Sequence, residues 1–181
     1  SWDHFSSIMS PVMPEIDYEA IDKKAKLTVK KICSSLGKGG MSKNRFFSAF
    51  TCKGPVEEIS ELKKYDTAIC LVGDGSVCSA FCKAFKDAAE SMNYAVISYL
   101  DPLFPEKTVA ASIPELSVLV YDKNAVSGNL DVNKSISLNS FVEKESLKRC
   151  KKLSKYLEKP GEFLLSEAEG HLRNAKSFHD E

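Results

Sequence analysis

The stretch Thr67-Ala-Ile-Cys-Leu-Val72, followed by Gly73-Asp-Gly-Ser76, decides how this chain folds. An almost wholly apolar run of this length marks a strand buried on both faces of a parallel sheet, because such a strand has no solvent side to make polar. The two glycines then turn the chain. From Val77 to Met92 the residues Phe81, Ala84, Phe85, Ala88, Ala89 and Met92 recur at helical spacing, and Tyr94-Ala-Val-Ile-Ser-Tyr99 reads as the next buried strand. Strand, glycine turn, helix and strand form a βαβ unit of the kind a phosphate-binding loop occupies. There the helix N-terminus offers free N–H groups and partial positive charge to an anion.

Beyond this unit, Asp101-Pro102 and Pro105 break the chain, and Ile113-Pro-Glu115 leads into Leu116-Ser-Val-Leu-Val-Tyr121, a third apolar strand closed by Asp122. Ser127-Gly-Asn129 reads as a turn and Lys134 to Leu138 as a weak edge strand. Phe141 to Glu158 and Glu162 to His179 read as two amphipathic helices parted by Pro160-Gly161. In the other direction, Gly54-Pro55 opens a short helix through Glu57, Ile59 and Leu62, and Arg45 to Thr51 is an aromatic-rich strand. Asp17 caps a helix from Tyr18 to about Leu36, which Gly37, Gly39 and Gly40 end. Ser1 to Glu15, with Pro11, Pro14 and serines around Trp2, Phe5 and Ile8, reads as a surface arm. The expected organisation is an N-terminal arm over 1–16 and a single α/β domain over 17–181. Its expected form is a three-layer sandwich with a mainly parallel, P-loop NTPase-like sheet and right-handed crossovers.

Composition agrees with one ordinary domain. The chain has 181 residues, 43% hydrophobic and 28% charged, which is enough to bury a sizeable core and excludes a disordered or fibrous class. Twenty-five basic residues balance 25 acidic ones, so no long-range field draws the protein to nucleic acid or an anionic membrane. The basic run Lys144 to Lys155 reads first as a solvated helix face and only secondarily as a docking patch. Six cysteines lie among apolar neighbours without a CxxC pair or zinc spacing, which predicts reduced thiols and a cytoplasmic setting. No apolar run reaches the ~20 residues that span a bilayer, and no signal-peptide pattern opens the chain. Ser1 rather than Met at the start leads us to expect a fragment of a longer chain.

The loop itself is chemically degraded. In the full G-x-x-x-x-G-K-[ST] signature the glycines admit a phosphate, the lysine reaches its outer oxygens and the hydroxyl binds Mg²⁺. Set against it, Val72 and Val77 fall on the two glycines, Cys78 on the lysine and Ser79 on the hydroxyl. Phosphoryl transfer needs the missing cation above all, so ATP hydrolysis is not expected. The candidate binding residues are Gly73, Gly75, Ser76 and Ser79, with Asp122 where a Walker-B carboxylate would orient Mg²⁺ and ATP/Mg²⁺ as the ligand if any is held. The plainer readings are a structural turn at the glycines and an Asp122 that caps the next turn, as Asp101 does before Pro102. Cys78 and Cys82 lie one helical turn apart and read first as small buried apolar residues, secondly as a redox pair. His171 and His179 lack a third ligand of fitting spacing and read as surface residues.

Arg45-Phe-Phe-Ser-Ala-Phe-Thr51, the stretch Thr67 to Phe81, Asp101-Pro102 with Ile113-Pro-Glu-Leu116, and Leu165-Ser-Glu-Ala with Ala175-Lys-Ser-Phe-His-Asp-Glu181 carry a resemblance. Together they resemble the second half of a bacterial, largely uncharacterised tandem P-loop ATPase-like family. The family loop reads roughly G-x-P-G-T-G-K-S, of which Gly73, Gly75 and Ser79 remain. The resemblance implies continuation beyond Glu181 and an N-terminal half with an intact loop, beside which this domain is a pseudo-ATPase partner. Three functions therefore compete. The first is a catalytically silent module that works by protein contact, without membrane or nucleic acid. The second is a weak nucleotide- or phosphate-binding domain that uses the backbone N–H groups of residues 73–79. The third is a thiol enzyme on Cys78, which requires a thiol that titrates below its ordinary value.

Overall fold

A computed structural model describes residues 14–128 and 130–180. They divide into two compact units: a larger one of Ile16–Phe47 and Glu58–Phe141, and a smaller one comprising the described parts of Ser1–Glu15, Ser48–Glu57 and Val142–Glu181. The arm expected over 1–16 lies outside the described residues except for its last three, and Asn129 of the expected turn lies outside them too.

In the larger unit, helix α1 (Tyr18–Ile32) begins where Asp17 Oδ1 accepts the Ala20 N–H at 2.9 Å. Glu19 in the first turn and Lys30 and Lys31 in the last complement the helix dipole. Ile21, Ala25, Thr28 and Val29 form its buried stripe. It ends before the expected Leu36. Gly37 follows, at a site where a Cβ would lie 2.5 Å from the Asn93 carbonyl oxygen and 2.7 Å from the Tyr94 ring, so only glycine fits.

The sheet comprises β1 (Lys43–Arg45), β4 (Thr67–Val72), β5 (Ile97–Leu100), β6 (Thr108–Ile113), β7 (Val118–Asp122) and β8 (Val132–Ser137), in the spatial order β1-β5-β6-β7-β4-β8. β6 alone runs against the others, which makes the sheet mainly parallel. Helix α3 (Gly75–Ser91) packs on β6 and β7 and against α1. Strand alternation sends Ile69 and Leu71 to that face and Ala68, Cys70 and Val72 to the other. The second face holds an aromatic cluster of Phe47, Tyr65, Tyr99 and Tyr121 with Leu62 and Leu119. Its buried hydroxyls are satisfied internally: Ser112 Oγ–H donates to Tyr65 Oη at 2.8 Å, and the Tyr65 and Tyr99 hydroxyls pair at 3.0 Å. Among the described residues of this unit the helix on that face is the single turn α2 (Ser60–Lys63), so the third layer expected there is mostly loop.

Two local expectations are corrected here. The run 108–113, passed over between the prolines, is the fully buried strand β6. Gly54-Pro55 does not open a helix. In the smaller unit, Ser48–Thr51 (β2) and Gly54–Glu57 (β3) form an antiparallel hairpin in which Pro55 faces Phe50. Gly54 adopts φ +91°, which a side chain resists.

The smaller unit also contains α4 (Lys144–Asp180), one helix of 37 residues where two were expected. Pro160 lies inside it. Leu157 and Leu164 are two turns apart and keep one phase across Pro160-Gly161, so a continuous helix preserves a single apolar stripe where a break would split it. The N-terminal turn is fixed within the unit: Glu15 N–H donates to Ser146 Oγ at 2.9 Å, and Glu143 N–H donates to the Glu15 carbonyl at 3.0 Å.

Candidate functional site

β4 stands where the chain changes direction across the sheet. From β4 the chain crosses through α3 to β5 on one side, whereas β7 is followed by β8 on the far side of β4. In open α/β sheets, ligands enter the crevice outside the carboxyl ends of strands at such a switch point. The register places Asp122, the last residue of β7, beside Leu71, so the Asp122 carboxylate and the turn after Val72 share this edge.

The turn is shorter than a phosphate loop. α3 already starts at Gly75, capped by Asp74, whose Oδ1 accepts the Ser76 N–H at 2.9 Å. The Cys78 N–H donates to the Asp74 carbonyl at 3.0 Å as the first bond of the helix ladder. Gly75 to Ser79, expected as a loop of open N–H groups, are therefore wound into the helix, and only Gly73 and Asp74 separate it from β4. Of the first N–H groups, those of Gly75 and Val77 lie outside both cap and ladder.

The side chains close the site further. Ser79 is buried, and its hydroxyl oxygen accepts the Thr108 N–H of β6 at 2.9 Å, so it ties α3 to the sheet. Cys78, in the lysine position, is fully buried beside Asp122. Val77 is equally buried, and a Cβ on Gly73 would come within 2.9 Å of its methyl group. Asn124, which sequence reasoning missed, binds the edge together: its N–H donates to Asp122 Oδ1 at 2.9 Å and its Nδ2 to the Gly73 carbonyl at 3.0 Å. A polar residue two places after a strand-ending Asp is the signal that could have found it, since an Asp that accepts that N–H makes an Asx-turn. Asp101 behaves likewise and accepts the Leu103 and Phe104 N–H groups.

Charge follows from this packing. Burial raises the Asp122 carboxyl above its ordinary range, although the Asn124 N–H and the Cys78 thiol pull it back, and the Asp74 carboxylate raises it again. Burial pushes the Cys78 thiol strongly up, and Asp122 adds to the push. Burial raises Cys82 in the same way. These shifts oppose the lowered pKa that a nucleophilic thiolate requires. Next to the turn, a recess lined by Val72, Tyr121, Lys123 and Val126 opens toward the aromatic face. The Tyr121 phenol is pushed up to about 12 by burial and by Cys70.

ATP with Mg²⁺ does not fit this donor set. A phosphate at the turn would meet Asp74 and Asp122 in place of a lysine, and the Ser79 hydroxyl that should hold the metal is committed to β6. Among the described residues no group of three or more His, Cys, Asp or Glu side chains could hold a metal ion. His171 and His179 are exposed on α4.

Asp122 can be tested directly. The folded state holds its proton more tightly than the unfolded chain, so stability falls as pH climbs from 3.8, the ordinary value, through the raised one. Asp122→Asn keeps an oxygen for the Asn124 N–H and removes the buried charge. At about pH 7.5 it is expected to raise Tm by about 2–4 °C, on the order of 1 kcal/mol, with the gain fading in acid. A melting series across pH measures this.

The fold and this edge define a mixed α/β protein with a six-stranded, mainly parallel sheet flanked by helices. Compared with known proteins, the chain matches no family model, no curated protein and no solved structure. Among the described residues no helix is long and apolar enough to cross a membrane.

Proposed function

We propose that this is a degenerate P-loop NTPase-like domain, catalytically silent, that acts as an interaction or regulatory half beside an active ATPase region. The reading rests on one observation above all. Where such a loop needs a lysine beside a strand-end carboxylate, this chain has a fully buried Cys78 next to a buried Asp122. The scaffold supports P-loop ancestry: an apolar strand, a glycine turn, a helix aimed at the switch point, and a parallel neighbour that ends in a buried Asp. The chemistry supports silence, because phosphoryl transfer depends on a cation at the position that the buried Cys78 fills. The resemblance to the second half of tandem ATPase-like proteins supplies the proposed partner, an N-terminal half with an intact loop.

A second reading has a specific observation in its favour. The Gly75 and Val77 N–H groups lie outside the cap and the helix ladder, which leaves a backbone contact for a weakly held phosphate. Melting curves with and without ATP/Mg²⁺ separate the two. The silent reading expects no shift in the natural chain, whereas binding adds about 2.7 kcal/mol of stability at a hundredfold excess over the dissociation constant. The Val77→Gly, Cys78→Lys double variant restores a glycine and a lysine, and a shift confined to that variant is the result expected of a disabled scaffold. A comparable shift in the natural chain would establish the second reading instead.

A further inference from the structure

α4 carries an apolar stripe that the described residues of the smaller unit leave exposed. Tyr156, Phe163, Leu164 and Phe178 are 69%, 64%, 66% and 79% exposed, and Leu153 and Leu157 are exposed beside them. The β2–β3 hairpin does not cover this stripe. It approaches α4 where Gly54 lies near Glu169, with a Cβ on the glycine 3.8 Å from Glu169 Oε2. Glu169 is two residues from Glu167, about 200° around the helix axis, and so lies on the opposite side from the stripe.

Charge indicates what covers it. Arg149 and Glu167, both exposed, are 18 residues apart, about five turns, and so lie on one face of α4 at either end of the apolar segment. In an antiparallel pair of helices centred near residue 158, Leu153 meets Phe163, Tyr156 meets Pro160, and Arg149 meets Glu167. By two-fold symmetry each contact occurs twice. In this arrangement Arg149 of each copy lies against Glu167 of the other, whereas a parallel pair would set Arg149 against Arg149 and Glu167 against Glu167. Among the described residues Arg149 forms a 3.7 Å ion pair with Glu15, exposed at both ends and worth little.

We infer that the exposed face of α4 is a self-association surface, on which a second copy of this chain packs antiparallel through Leu153, Tyr156 and Phe163 with reciprocal Arg149–Glu167 pairs. The inference stands whether or not the β4 edge holds a nucleotide. Sedimentation of the 181-residue chain at about 100 µM is expected to give a mass that rises above one chain and approaches two for dissociation constants well below that value. Leu153→Asp, at an exposed position, is expected to give the monomer with an unchanged circular dichroism spectrum. Arg149→Glu and Glu167→Arg are each expected to weaken the dimer about tenfold, the size expected when two reciprocal rim pairs turn repulsive, and their combination to restore it. A monomeric natural chain overturns the inference, as does a dimer that survives Leu153→Asp. Single charge reversals without effect, or without rescue in the double variant, overturn the antiparallel arrangement.

Discussion

Phe81→Ala is expected to lower the unfolding free energy by about 3–5 kcal/mol, the largest loss anticipated for any single truncation near the candidate edge. Phe81 is fully buried in the middle of α3, the helix that lies on β6 and β7 and against α1. Its ring has no route to solvent, so removal costs both the transfer of the lost atoms and a cavity that neighbours packed at crystal density cannot fill. Against a total stability of about 5–15 kcal/mol, the loss takes away from about a fifth to the whole of the margin. Urea denaturation should show a lower midpoint at an unchanged slope. The consequence reaches the β4 edge, because α3 carries the Asp74 cap and the Cys78–Asp122 contact at its start. A loss below about 1 kcal/mol would contradict the burial of α3, since only an exposed side chain is removed so cheaply.

Pro160→Ala should act in the opposite direction and raise the stability of the smaller unit by up to about 3 kcal/mol. Pro160 is exposed and sits inside a continuous helix. There it lacks the N–H that would bond back to the Tyr156 carbonyl, and its ring crowds that carbonyl. Alanine restores the bond and adds no new contact. The readout is the helical circular dichroism signal against temperature, with Gly161→Ala as a companion expected to gain about 1 kcal/mol. If α4 were two helices with a hinge at residue 160, proline would be compatible with the hinge and neither substitution would stabilise.

The apolar runs declared themselves in the sequence: β4, β5 and β7 are buried strands because no polar side is needed between covered faces, and Asp122 closes β7 where the apolar residues stop. β8 was legible as an edge from its alternation, and Ile136 is its one buried residue. β6 was not, since Ala110, Ala111 and Ser112 are too small to stand out and the nearby prolines signalled a loop. The β2–β3 hairpin was obscured by Pro55, which a two-stranded ribbon tolerates because each strand keeps an open edge. Pro160-Gly161 signals a break in α4 by local propensity, whereas the stripe keeps one phase on either side of it.

The candidate edge was half legible. Gly73, Gly75 and Asp122 do converge at the end of β4, and Asp74 carried an unread signal, for an Asp before Gly-Ser is an N-cap that starts the helix at once and removes the loop. The burial of Ser79 against Thr108 was beyond reach while β6 remained unseen.

The placement of β4 between β7 and β8 also governs its birth on the ribosome. Its last residue is Val72, but its second neighbour is complete only at Ser137, 65 residues later (137 − 72). At about 5–20 residues per second, this most apolar strand waits roughly 3–13 s with a bare hydrogen-bonding edge. Translation speed across 73–137, and the chaperones that shield nascent edges, therefore bear on how much of this protein escapes aggregation.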